Sequence, residues 1–78
     1  MGQIRNEKLL IAVGLSFKKV REEKKLTQED VFNDTGIHIG RIETAKTNLT
    51  ISTVYKLCSY YNIFIQDFFS NLKFKINW

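Results

Sequence analysis

Apolar residues recur at helical spacing along almost the whole of this 78-residue chain, and no proline, repeat or low-complexity segment interrupts them. Between Asn6 and Lys25 they fall at Leu9, Leu10, Val13, Phe17 and Val20, which places one apolar stripe on a first helix. The next helix has a strong start signal. Thr27 can cap it, with Asp30 at the third helical position as a capping-box variant, and Leu26 and Val31 can close a hydrophobic staple around the cap. Glu29 and Asp30 suit the positive end of a helix. This second helix is expected to end near Asn33 or Asp34.

A third helix is expected to follow at once, capped by Asp34 or Thr35. Ile39, Ile42 and Ala45 then share one face, while Ile37, Gly40, Arg41 and Thr44 point the other way. Two short helices joined by a few residues, the second presenting a mixed face, make a helix-turn-helix pattern over about residues 27–45. Lys46 to Leu49 reads as a loop. Thr50 or Ser52 can cap a fourth helix with its stripe at Ile51, Val54, Leu57, Cys58 and Tyr61. After a break at Asn62, the residues Ile65, Phe68, Phe69 and Leu72 predict a short fifth helix. The tail then changes period: Leu72, Phe74, Ile76 and Trp78 alternate with Lys73, Lys75 and Asn77, a strand-like pattern with one apolar face.

A chain of this length is expected to form a single domain over 1–78, and so small a core contributes only a few kcal/mol net. Cys58 is the one cysteine and His38 the one histidine, so neither a disulfide nor a cysteine-based metal site is available. Cys58 reads as a small core residue, and His38 as a packed or capping side chain. No cofactor is expected. Leu9 to Val13 is the longest apolar run, far below a membrane span, and it lacks a signal peptide's cleavage pattern; a cytoplasmic location follows as an expectation. There is no histidine–carboxylate pair, no glycine-rich phosphate loop after a strand and no nucleophile with a base at a recognisable spacing, so the chain is not expected to be an enzyme. The net charge of +4 is a modest basic bias toward a polyanionic partner. It is unevenly spread: seven cations lie within residues 1–25, whereas residues 26–40 hold only Glu29, Asp30 and Asp34.

Leu26-Thr27-Gln28-Glu29-Asp30-Val31 resembles the start of the second helix in the Xre family of Cro/C1-type helix-turn-helix regulators. Arg41-Ile42-Glu43 is similar to the close of that family's recognition helix. Asn48-Leu49-Thr50-Ile51 and Ile65-Gln66-Asp67-Phe68-Phe69 look like its fourth-helix entry and fifth helix. The resemblance covers roughly residues 15–70. It implies an all-α, five-helix, lambda-repressor-like fold that binds double-stranded DNA with the third helix in the major groove. One departure stands out. Gln28 to Glu43 spans fifteen positions, three fewer than in the family, so the turn is shortened. Core spacing favours starting the third helix near Thr35; the alternative is a tight turn at Gly36 followed by a very short recognition helix.

Face geometry and resemblance together single out Gly36, Ile37 and Arg41 for base readout, and Gly40 lies on the same face. Arg41 can bind guanine in bidentate fashion, Ile37 can pack on a thymine methyl, and the two glycines can let backbone approach closely. Gln28, by resemblance, is a phosphate or base contact, and Lys46, Thr47 and Asn48 are phosphate candidates with Thr44 beside them. Arg21 and Glu43 look like the family's structural ion pair. Such regulators act as two-fold dimers, and the aromatic weight of residues 60–78 points to homodimerisation through a C-terminal segment, about 62–78, with Ile65, Phe68, Phe69, Leu72, Phe74, Ile76 and Trp78. Restriction-modification controller proteins are similar in size; an antitoxin-like or mobile-element regulator fits equally. No separate ligand-sensing domain has room, so no small-molecule ligand is expected. The competing expectation is a protein-interaction module of the same fold that does not bind DNA.

Overall fold

A computed structural model describes residues 4–72, and these form five helices and no strand. Helix α1 runs Glu7–Glu23, α2 Gln28–Thr35, α3 Ile39–Glu43, α4 Ile51–Tyr60 and α5 Ile65–Ser70. The expected alternating tail, with Phe74, Ile76 and Trp78, lies outside the described residues. Among the described residues no helix is long and apolar enough to cross a membrane.

Helix starts are set locally. Asn6, Thr27 and Thr50 each accept a bond from the backbone N–H three residues on. At Thr27 the bond is reciprocated, because Asp30 Oδ2 accepts from the Thr27 N–H at 2.9 Å and completes a capping box. The Asp30 carboxyl is therefore held below the usual carboxylate range, first by the Thr27 backbone bond and then by its side chain. The ends of α1, α3 and α4 follow one scheme. Leu26, Lys46 and Ile63 each donate back to the carbonyl five residues earlier, at Arg21, Arg41 and Cys58. Lys25, Ala45 and Asn62 sit in the left-handed region at those turns, with φ near 60°.

The core is one cluster to which all five helices contribute. Phe17 of α1 is its hub: its ring stacks on Phe68 of α5 at 4.3 Å and lies 6.1 Å from the ring of Tyr61. Val31, Ile39, Leu57 and Cys58 are fully enclosed around it. Gly14 lets α1 close on α3, for a Cβ there would lie 2.4 Å from the Ile42 carbonyl oxygen. Leu10 and Val13 complete the α1 face. Ile51, expected in the α4 stripe, is instead 64% exposed at the first position of its helix.

The shortened turn departs from expectation. Helix α2 does not stop at Asn33 or Asp34 but continues to Thr35, and Gly36 ends it at φ 75°, the left-handed conformation that glycine adopts without strain. Helix α3 does not begin near Thr35. It begins at Ile39 with His38 in the cap position, and His38 makes no capping bond. The tight-turn alternative is therefore the arrangement adopted. Thr35 holds it by bonding in both directions: Oγ1 donates to the Val31 carbonyl at 2.7 Å and accepts from the Ile37 N–H at 3.0 Å.

Candidate functional site

The end of α1, the start of α2 and the end of α3 are tied at one buried point. Arg21 Nε donates to Glu43 Oε2 at 2.7 Å and Arg21 Nη2 to Glu43 Oε1 at 3.1 Å, a bidentate pair with both side chains largely enclosed. Arg21 Nη1 donates to the Leu26 carbonyl at 2.7 Å, and Gln28 Nε2 donates to Glu43 Oε1 at 3.1 Å. The bond to Glu43 keeps the Arg21 guanidinium firmly protonated, against the opposing effect of burial. A buried charge pair satisfied on so many sides fixes orientation more than it adds stability.

Around this anchor the outer surfaces of α2 and α3 enclose a shallow groove bordered by Gln28, Glu29, Phe32, His38, Gly40, Arg41, Thr44 and Lys46. Arg41 is exposed, and among the described residues its guanidinium has neither an ion-pair nor a hydrogen-bond partner. Lys46 is exposed beside it; its backbone closes α3 while its side chain stays free to reach outward. Thr44 is exposed, but its hydroxyl donates to the Gly40 carbonyl at 2.8 Å.

Several expected positions turn out to be committed elsewhere. Ile37 does not face outward with Arg41. It is half-buried against the core, because the tight turn points it inward. Gly36 belongs to the end of α2 and not to α3. Gly40 does not open the helix to an approaching backbone: a Cβ there would meet the Gln28 side chain at 3.1 Å, so the glycine makes room for Gln28 to reach Glu43. Asn48 donates to the Ile4 carbonyl at 3.1 Å, on the side where Arg5 Nη2 donates to the Ala45 carbonyl, and Thr47 is half-buried in the same loop. Of the dimerisation residues, Phe68 is enclosed against Phe17, which removes it from any outer surface. Ile65 and Leu72 are half-buried against the core, and Phe69 is 39% exposed.

The groove contains two residues that spacing alone did not bring forward. Phe32 of α2 is 42% exposed, and its ring stacks on His38 with centroids 4.5 Å apart and planes 25° apart. A phenylalanine six residues before a histidine carries no periodic signal; only the tight turn brings the rings together. Helix α4 supports that turn from behind. Lys56 Nζ donates to the Thr35 carbonyl at 3.0 Å, and the Tyr60 hydroxyl donates to Asp34 Oδ2 at 2.5 Å.

The profile of a helix-turn-helix family matches residues 17–68, from the middle of α1 into α5. No curated protein matches the chain.

Proposed function

The chain belongs to the helix-turn-helix family of the Cro/C1 type, and from that premise we propose that it is a small transcriptional regulator that binds specific sequences of double-stranded DNA. Helix α3 enters the major groove, where the N-terminal residues of such a helix meet base edges. The observation that carries this reading is Arg41, an exposed guanidinium on the outer face of α3 and held by no neighbour among the described residues. Arg41 takes guanine O6 and N7 in bidentate fashion, and Lys46 neutralises an adjoining phosphate. At the rim, Thr44 and the second N–H of the Gln28 amide contact phosphate oxygens and leave the base edges to other groups. The Arg21–Glu43 pair holds α3 at a fixed angle to α1 and touches no base. Two copies act together, each placing one α3 on a half-site about one turn of the duplex apart.

Fluorescence anisotropy with bulk duplex DNA tests the reading. Affinity falls steeply as salt rises, because each neutralised phosphate releases counterions. Among sites selected from random DNA, Arg41→Ala abolishes preference at one base position, a discrimination of about 1–3 kcal/mol, and leaves nonspecific affinity in place. A chain that binds no duplex even at low salt is the interaction module instead.

A further inference from the structure

We propose that the stacked Phe32–His38 pair is a specificity surface that reads the C5-methyl group of a thymine in the major groove; this rests on the DNA-binding reading above. The groove beside Arg41 has few groups left to address a base. Ile37 packs inward, the Gln28 amide serves Glu43, Gln28 covers Gly40, and the Thr44 hydroxyl bonds its own helix. What remains next to Arg41 is an exposed aromatic plate. His38 occupies the position just before α3, where side chains of a recognition helix come nearest the bases, and Phe32 is stacked against it from α2.

The chemistry around the plate selects its occupant. Arg41 and Lys46 draw a phosphate-bearing ligand to the groove, but Glu29 lies on the same groove and repels a phosphate placed over Phe32. A base edge can sit there and the sugar-phosphate backbone cannot. Along the major groove the thymine methyl is the apolar feature of a base edge, and phenylalanine is among the side chains suited to it. Stacking also holds both rings in place, so little side-chain freedom is left to lose on contact.

The test uses the full chain and a duplex selected from random DNA, in which each thymine is replaced in turn by deoxyuridine. Removing a methyl that is buried on binding is expected to weaken affinity about fourfold at one position in each half-site. The same replacement has no effect on Phe32→Ala. Only the DNA changes in the first arm, so the folding of a variant does not enter it. Deoxyuridine tolerated at every position overturns the proposal, as does a penalty that persists in Phe32→Ala. A duplex preference that depends on Arg41 but on no methyl group overturns this inference alone. Absence of any duplex binding overturns it together with the DNA-binding reading.

Discussion

Two adjacent tyrosines at the end of α4 do different work. Tyr60 reaches across to Asp34, and that hydrogen bond, with some burial, pushes its hydroxyl up to about 12. Tyr61 is enclosed in the core; burial first, then the neighbouring Glu43 carboxylate, pushes it up to about 12 as well. An unfolded tyrosine ionises near 10. Both groups thus favour the protonated folded state, and their contribution is complete below about pH 10 and lost as pH rises toward 12. Urea denaturation followed by circular dichroism is expected to show a midpoint that declines through this window. Tyr60→Phe should flatten part of that decline and Tyr61→Phe another part. A midpoint equally steep in the double variant would contradict the assignment. Tyr61→Phe has a second consequence. Among the described residues the Tyr61 hydroxyl meets no hydrogen-bond partner, so its loss should leave stability at neutral pH unchanged or raise it by up to about 1 kcal/mol.

At the scale of elements, the placing of α3 depends on how closely α1 approaches it. Gly14 sits within α1, where alanine ordinarily stabilises a helix by about 1 kcal/mol. Here the added Cβ would lie 2.4 Å from the Ile42 carbonyl oxygen and 3.1 Å from that of Glu43. Neither backbone can yield without moving α3, and overpacking of this kind costs about 1–3 kcal/mol. Gly14→Ala should therefore destabilise the protein by about 1–2 kcal/mol in chemical denaturation, despite the better helix propensity. It should also disturb the Arg21–Glu43 anchor. Gly40→Ala is the matched comparison, because its Cβ meets only the flexible Gln28 side chain and should cost less. Equal losses for the two variants would show that the close α1–α3 contact is not what holds α3.

For the whole molecule, large apolar side chains remain outside the core. Tyr55 of α4 is 60% exposed, Phe64 at the cap of α5 71% and Phe69 within α5 39%; Tyr55 and Phe64 border one groove between α4 and α5. With Phe68 turned inward, these residues replace it as the outer surface through which we propose that two copies pair. A core this small is routinely supplemented by association, and a two-fold pair also matches two half-sites. Sedimentation equilibrium is expected to find a dimer at micromolar concentration and a shift toward monomer in Phe64→Ser. A wild-type monomer at high micromolar concentration would remove the proposal.

What was readable from the sequence alone is what short-range bonds determine. Thr27, Asp30 and Thr50 mark their helix starts because a side chain three residues from its partner closes the cap without help from the rest of the fold. The stripe of α1, that of α4 apart from Ile51, and the meeting of Arg21 with Glu43 follow from periodicity and family pattern. The turn was not readable in this way. Periodicity favoured a third helix from Thr35, yet Gly36 ends α2, and Lys56 and Tyr60 brace that end from 21 and 26 residues away. Those contacts exist only after α4 has packed. They decide that Ile37 points inward and that Phe32 meets His38, and so they decide which side chains stand beside Arg41. The helix-turn-helix is thus a local property of the chain, whereas the face it presents is set by tertiary packing, because a surface shared by two short helices depends on the angle between them.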